Sequence, residues 1–302
     1  MATTEINDEQ KTESAMTMPR QGKCLFTVDV EDWFHIPGSP KGQNLAEWKA
    51  LPSHVSKNFR IMLEIFAAKK VRVTCFFLGW VAEHFPELVQ EAWNQGHEIA
   101  CHSYSHGLVY EMTPEEFLDD IRKAKHIIEN ITGSPVLGYR APCFSVTKDT
   151  PWFFDRLLQA GYQFDSSVFP VARRFGGLKT SKWGPSEIDT ASGSVAEFPI
   201  TVVRAMGRPM CFFGGGYLRL FPYPLIKKMG MQVLQEGRPI IFYVHPREID
   251  PSHPRLPMNP VARFKSYVNL STARSKIEMI LDDFTFTTFG EMMAAGKVHG
   301  ES

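Results

Sequence analysis

The sequence predicts an α/β protein whose parallel strands curl into a distorted (β/α) barrel, on three observations. Strand-length apolar runs alternate with amphipathic helical segments along most of the chain, the order that parallel strands joined by right-handed crossovers require. The first run, KCLFTVDV, is apolar almost throughout, as a parallel strand covered on both faces must be. Polar and charged residues gather at the carboxyl ends of several strands, which favours a barrel over an open doubly wound sheet.

The strand Cys24–Val30 runs into DVEDWFH. A Pro/Gly-rich loop from Pro37 to about Pro52 then leads to a helix over roughly 53–69, where Phe59, Met62, Leu63, Ile65 and Phe66 recur at helical spacing. VRVTCFFLG is the second strand. A helix over 80–95 is broken or restarted at Pro86, and Gly96 caps it before the third strand, HEIACHS. Thr113, Pro114 and Glu116 spell a capping box with proline at the first helical position. Phe117, Ile121, Ala124, Ile127 and Ile128 form that helix's buried stripe, and Gly133 ends it. A short strand VLGYR, a helix over 151–161 and the segment YQFDSS follow. Residues 170–221 read as an irregular excursion with short strands at VAEFPIT and around Cys211–Phe213. Gly214–Gly216 lacks the setting of a phosphate loop and marks a close backbone approach or a tight loop. A helix over 223–236, the strand PIIFYVH, a proline-dense loop over 246–260, a helix over 271–283 and the run TFTTFGEM complete the chain.

With 33 Lys+Arg against 33 Asp+Glu, no net charge favours nucleic acid or an anionic membrane as partner. The first twenty residues are polar and acid-rich, unlike a signal peptide, and read as a disordered or loosely docked tail. No run is long enough to span a bilayer, so the expectation is a cytoplasmic protein without membrane insertion, its oligomeric state left open. Five cysteines, Cys24, Cys75, Cys101, Cys143 and Cys211, are odd in number and form no close pair, which reads as free thiols.

GHEIACHSYSH carries the strongest chemical signal. His102 and His106 are four residues apart, so a helical turn after the strand would put both imidazoles on one side, a spacing that suits zinc or a similar ion. The plainer alternative is a pair of surface or capping histidines, and His97 reads as a turn or surface residue. Two imidazoles need a third ligand and an open position for water. Asp29, Glu31 and Asp32 offer carboxylates at the end of the first strand, one to bind the ion and another to take a proton from water. Without a cation, such a cluster would repel itself. Arg140 in RAPCF can hold the base carboxylate, and the backbone N–H of Cys143 can face a developing oxyanion. Cys143 itself reads as lining, because no histidine is near it in sequence. His245 ends its strand where an imidazole can protonate a leaving amine, and Asp165 can partner a catalytic histidine or Arg140. Trp33, Tyr104 and Phe144, each beside a site residue, are the aromatics expected to line a groove.

Taken together, TVDVED, HSYSH, RAPCF, FDSS and YVH resemble, in order, the motifs of the polysaccharide deacetylase family (the NodB homology domain, carbohydrate esterase family 4) over roughly residues 24–245. GGGYLRLFPYP, GRPIIFYVHPREIDP and FKSYVNLSTARSKIEMILDDF resemble its exosortase-associated subfamily, which carries a C-terminal extension. The resemblance implies a barrel-like catalytic domain at 21–250, with an extension at 251–302 packed on it. It implies deacetylation of N-acetylated amino sugars of a polysaccharide, oligosaccharide or precursor, in exopolysaccharide biosynthesis. One divalent ion is implied, zinc first, with cobalt, manganese, nickel or iron as alternatives. Asp29 matches the base, His102 and His106 the ligands, Arg140 the arginine that holds the base, and Cys143 the oxyanion N–H. Asp165 matches the acid of the fourth motif and His245 the general acid.

Two positions depart from the pattern. Val30 stands where the family has its metal-binding aspartate, so the ligand falls to Asp32, preferred because it keeps the residue type, or to the nearer Glu31. Ser166 replaces the tryptophan after the fourth-motif acid, which brings a different groove wall or substrate into view. The alternative enzyme hydrolyses another non-peptide C–N amide, such as a cyclic ureide or formamide, and would have a closed, small groove rather than an open, aromatic one. A carbohydrate-binding module with an inactive site is the second alternative.

Overall fold

The apolar, β-branched and aromatic runs become strands of one nine-stranded sheet in the computed structural model, which describes residues 24–36, 45–180 and 182–296. The expected tail at 1–20 and the first part of the loop after Ile36 lie outside the described residues. In chain order the elements begin with β1 (Cys24–Val30), α1 (Leu45–Trp48), α2 (Val55–Lys69), β2 (Thr74–Phe77), α3 (Gly79–His84), α4 (Pro86–Asn94), β3 (Glu98–Cys101) and α5 (Pro114–Thr132). Next come β4 (Gly138–Tyr139), α6 (Phe153–Gln159), β5 (Phe164–Asp165), β6 (Ser186–Thr190), β7 (Gly193–Glu197), β8 (Val203–Ala205) and β9 (Arg208–Met210). The last are α7 (Gly215–Leu220), α8 (Tyr223–Gln235), β10 (Ile241–Val244), α9 (Pro260–Tyr267), α10 (Ala273–Asp283), β11 (Phe286–Thr287) and α11 (Phe289–Ala294). The sheet runs β10-β1-β2-β3-β4-β5-β7-β6, with β11 also on β1, and is parallel except where β6 meets β7.

The sheet curls because the chain beyond β7 returns to its far edge. Phe198 N donates to Asp165 O and Ile200 N to Val168 O; Thr201 Oγ1 then accepts from Ile241 N, and Tyr243 N donates to Phe213 O. Residues 198–202 and 213–214 thus stand where a regular barrel would have strands. Cys211–Phe213 forms no strand of its own, contrary to expectation; Phe213 O accepts from Tyr243 N, and the next residue, Gly214, makes an isolated bridge to Tyr243 of β10. A side chain at Gly214 would meet the Tyr243 ring at 2.2 Å, which is the close approach the glycines foretell.

Paired residues of a parallel sheet share a face, and successive residues alternate. The registers Asp29–Phe76–Ala100, Gly138–Phe164–Ala196 and Thr27–Tyr243 therefore define the interior face. Leu25, Phe76, Ala100, Phe164, Ala196, Ile241 and Tyr243 fill that interior with Phe289 from α11. Val28, Cys75, Cys101 and Tyr139 face outward into a second core under the helices, with Phe59, Phe66 and Ile121. Two residues further along each interior line come Glu31, His102, Arg140, Ser166 and His245. Asp32 and Asp165 fall on the other phase.

The helices follow their local signals. Thr113 and Glu116 form the reciprocal capping box, Pro86 separates α3 from α4, and Gly133 ends α5 in the left-handed region at φ 68°. Helix α9 gives no apolar stripe to read because it buries no residue, and Val261 and Phe264 are exposed.

Candidate active site

At the carboxyl ends of β1 and β3, the ligand atoms of Glu31, His102 and His106 lie within 4.8 Å of one another. Glu31 Oε2 is 2.6 Å from His106 Nε2. His102 Nδ1 is 2.8 Å from the Arg140 carbonyl, and because a carbonyl only accepts, the proton sits on Nδ1 and the Nε2 lone pair is free. Burial pulls His102 down to about 4, so it is neutral and able to ligate. For Glu31, burial works to raise the pKa, but His106 and the other histidines outweigh it and hold the carboxyl far below its usual range. One carboxylate and two imidazoles fit a divalent ion of the zinc type, with room in the coordination shell for water.

Asp32 is not part of this group, which corrects the preference drawn from residue type. Its carboxylate accepts from Trp33 N, Ser53 Oγ, His54 N and Val55 N, tying the turn after β1 to the start of α2. Strand alternation selects Glu31, two residues beyond Asp29.

The two histidines do not share a helical turn either. Ser103 and His106 are both left-handed, at φ 66° and 56°, so the chain loops between them. Asp120 of α5 gathers this loop, accepting from Ser103 Oγ (2.7 Å), Tyr104 N (2.8 Å), Ser105 N (3.0 Å) and Ser105 Oγ (2.6 Å). Left-handed non-glycine residues persist only where their surroundings hold them. Sequence reasoning missed Asp120 because it looks like any polar residue of an amphipathic helix. Asp120→Ala is expected to weaken the binding of any divalent ion held by Glu31, His102 and His106 about 10–100-fold, as read by competition with a chromophoric chelator.

Asp29 lies one interior step below Glu31. Arg140 donates to Asp29 Oδ1 at 2.7 Å and to Thr27 Oγ1 at 2.7 Å, while its remaining nitrogens hold Ser166 O (3.1 Å) and Ser166 Oγ (3.0 Å). Ser166, the unusual residue after the fourth-motif acid, is thus an anchor for Arg140. Asp29 Oδ2 lies 3.9 Å from His245 Nε2, which is 3.8 Å from Glu31 Oε1. Behind His245, its Nδ1 faces Glu248 Oε1 at 3.6 Å. Glu248 is fully buried and ion-paired to Arg219, which also donates to the carbonyls of Lys265, Ser266 and Val268. Burial works to raise Glu248, but Arg219 and His245 prevail and hold it at about 2. Burial works against charge on His245 too, yet Glu248, Glu31 and Asp29 raise its pKa above the ordinary value. Glu248 and Arg219 went unread; the only hint was an acid three residues after His245.

Asp165 does not join the site. Registered with Tyr139 and Glu197 on the outer face, it accepts from Ser167 Oγ and Ser167 N. Burial, and then the charge of Asp165, push the neighbouring Glu197 carboxyl well above its usual range, so it is held neutral. A carboxyl whose pKa rises on folding stabilises most below its unfolded value of about 4.5, and this contribution fades as pH climbs toward the folded pKa. Glu197→Gln, which keeps a donor, is expected to raise Tm at neutral and alkaline pH by a few degrees, at roughly 2–4 °C per kcal/mol, and to flatten the pH dependence of melting above pH 5.

A cleft of about 570 Å³ opens above these groups, walled by Phe144, Phe175, Tyr217, Tyr243 and Phe264 among others. Phe144 is among its lining residues; Trp33 and Tyr104 are not. The Trp33 indole is buried and donates to Pro52 O, while Tyr104 donates to Glu83 with Lys123 over its ring. Cys143 lines the cleft in a left-handed conformation (φ 57°), and burial keeps its thiol protonated, against a nucleophilic role. The other four cysteines are buried and free. His97 is buried, accepting from Val73 N, rather than at the surface. His35, also unread, is buried with its ring stacked 5.7 Å from that of His106. A second groove, of about 680 Å³ between α2 and α4, contains none of the groups above except His97.

Comparison with known proteins agrees with this architecture. Residues 50–164 match the family model for polysaccharide deacetylase, and residues 166–294 match a domain of unknown function, DUF3473. Residues 50–164 thus resemble a polysaccharide deacetylase domain, and the DUF3473 match follows directly after it. His102, His106 and Arg140 fall in the first match, whereas His245, Glu248 and Arg219 fall in the second. A peptidoglycan deacetylase of Helicobacter pylori is 30% identical over 107 residues, 35% of this chain and 36% of that protein. The matched segment spans about a third of the length of such relatives. A structure assigned as a polysaccharide deacetylase from Mycobacterium smegmatis superposes with a TM-score of 0.60 at 17% identity over 95% of both chains. Puue Allantoinase superposes at 0.61 and 14% identity, over 98% of this chain and 100% of its own. At these identities the likeness is one of fold. Among the described residues, no helix is long and apolar enough to cross a membrane.

Proposed function

We propose that the protein is a metal-dependent deacetylase of N-acetylated amino sugars in a polysaccharide, oligosaccharide or precursor. The observation that carries this reading is the meeting of Glu31, His102 and His106 with Asp29–Arg140 and His245 at the floor of one open cleft. Held by Glu31, His102 and His106, a divalent ion such as zinc would supply Lewis acidity for the acetyl carbonyl and for water. Asp29 takes the proton of the attacking water through Oδ2, since Arg140 occupies Oδ1 and fixes the carboxylate's orientation. The Cys143 N–H is the backbone donor assigned to the oxyanion. His245, backed by Glu248, returns a proton to the departing amine as the C–N bond breaks, leaving acetate and a free amino sugar.

The open, aromatic-walled cleft supports a sugar chain over a small cyclic ureide, although the fold likeness to an allantoinase does not separate the two. Acetate release should be measured from N-acetylhexosamine oligomers, monosaccharides and nucleotide sugars, with metal-stripped protein and again after refilling with zinc. Acetate is expected from at least one class only after refilling. Zinc-loaded protein that releases none from any class would sink the reading.

A further inference from the structure

The floor of the cleft is acidic, yet its walls are basic. Arg173, Arg174, Arg247 and Lys265 all line it, and among the described residues none of the four forms an ion pair. The floor acids are already engaged, Asp29 by Arg140 and Glu31 by His106. Since the whole chain has equal numbers of acidic and basic residues, this is a local concentration of charge.

Two of the four are built into place. Arg247 is only 7% exposed, donates to Ser266 O at 3.2 Å, and has a buried Nε with no partner. Its sequence neighbour Glu248 is ion-paired to Arg219. A guanidinium so buried, with no anion bonded to it, is costly unless an anion arrives with the ligand. Arg173 opens a tight turn closed by its N–H to Gly176 O at 2.8 Å, and its guanidinium lies 4.3 Å over the Phe169 ring. The turn is seated on the site: Gly177 N donates to the carbonyls of Phe144 and Val146, and a side chain at Gly176 would meet the Phe144 carbonyl at 2.2 Å. Stacking holds the plane of the guanidinium and leaves its edge free for a planar or tetrahedral oxyanion.

We propose that this cleft binds a glycan bearing a carboxylate or phosphate close to its N-acetylated sugar, with Arg173, Arg174, Arg247 and Lys265 as the anion subsite. The proposal rests on the deacetylase reading and names the substrate class within it.

The test compares kcat/KM for acetate release from neutral N-acetylglucosamine oligomers, from oligomers with a carboxylate on the neighbouring sugar, and from diphosphate-linked N-acetylhexosamine. At least one anionic substrate is expected to exceed the neutral one by about tenfold or more, the worth of one good charged contact, and to lose its advantage as salt screens the subsite. The exposed-residue variants Arg173→Ala/Arg174→Ala and Lys265→Glu should collapse the ratio of anionic to neutral kcat/KM; whether the carboxylate or diphosphate arm falls more identifies the anion. Direct titration of the same glycans into Asp29→Asn protein reads binding without turnover. Tight, salt-sensitive binding of an anionic glycan with no acetate release by the parent would retain the subsite and remove the deacetylase reading. Equal kcat/KM for neutral and anionic substrates, or a ratio untouched by both variants, overturns the subsite.

Discussion

Replacing Glu31 with alanine is expected to remove zinc binding and acetate release together, while Asp32→Asn keeps both. Glu31 is the only carboxylate grouped with the two imidazoles among the described residues, and without it two histidines must hold the ion alone. The loss should exceed the roughly 10–100-fold that removal of a supporting residue costs. Asp32 instead accepts four separate donors that start a turn and α2. Its asparagine variant should lose about 1 kcal/mol of stability, as capping losses do, with metal content unchanged. Metal analysis after dialysis, with thermal melts of both variants, checks the pair. Asp32→Asn protein that comes off the column metal-free would reverse the assignment.

His245→Gln should lower kcat by about 10²–10⁴-fold, the range for loss of a general acid, with little change in KM or zinc content. Glu248→Gln should follow in the same direction, because it removes the carboxylate facing His245 Nδ1. That variant also leaves Arg219 buried and unpaired, a loss of about 3–5 kcal/mol, so Glu248→Gln/Arg219→Met is needed to separate folding from catalysis. An activated aryl acetate, whose phenolate leaves without a proton, provides the discriminating readout. Amide hydrolysis should fall in all three variants and aryl ester hydrolysis should not. Equal losses on both substrates would assign His245 a role other than proton donor. If the double variant melts like the parent but retains full amide turnover, Glu248 has no part in the reaction.

These expectations place the two halves of the proposed chemistry in different stretches of chain. The ligands and base come from β1 and β3, while the acid, its carboxylate and the arginine that holds it come from the DUF3473 segment. On this reading, that segment supplies the proton-donating wall of the cleft, and Arg219 ties it to the carbonyls at the end of α9.

The order of elements was legible because it rests on local signals. The capping box at Thr113–Glu116, the proline between α3 and α4 and the continuous apolar run of β1 each act through near neighbours in sequence. His102, Arg140 and His245 stood out for a related reason: polar residues that end a buried strand have few uses other than a site, while His106 stood out by its spacing from His102. The alternation within KCLFTVDVED also pointed to Glu31, in phase with Asp29, and residue type misled where that phase would have served.

Other features lay outside any local pattern. That Asp165 faces outward follows from the register of β4 with β5, which strand length alone does not set. Asp120 reaches its loop across the α5 packing interface, and Glu248 gains its partner Arg219 from 29 residues away in the chain. Trp33 and Tyr104 sit beside site residues in sequence, yet the chain has left the strand at each, Trp33 opening a short helical turn and Tyr104 lying in the loop that Asp120 gathers, and both pack into the core. By itself, then, the sequence determined the resemblance to polysaccharide deacetylases, the run of strands and helices and most of the polar groups that meet in the site. The tertiary structure decided which carboxylate joins the imidazoles, which groups brace them and which aromatic and basic side chains wall the cleft. Those outcomes depend on register and long-range packing, and both form only when distant segments bury their apolar faces together.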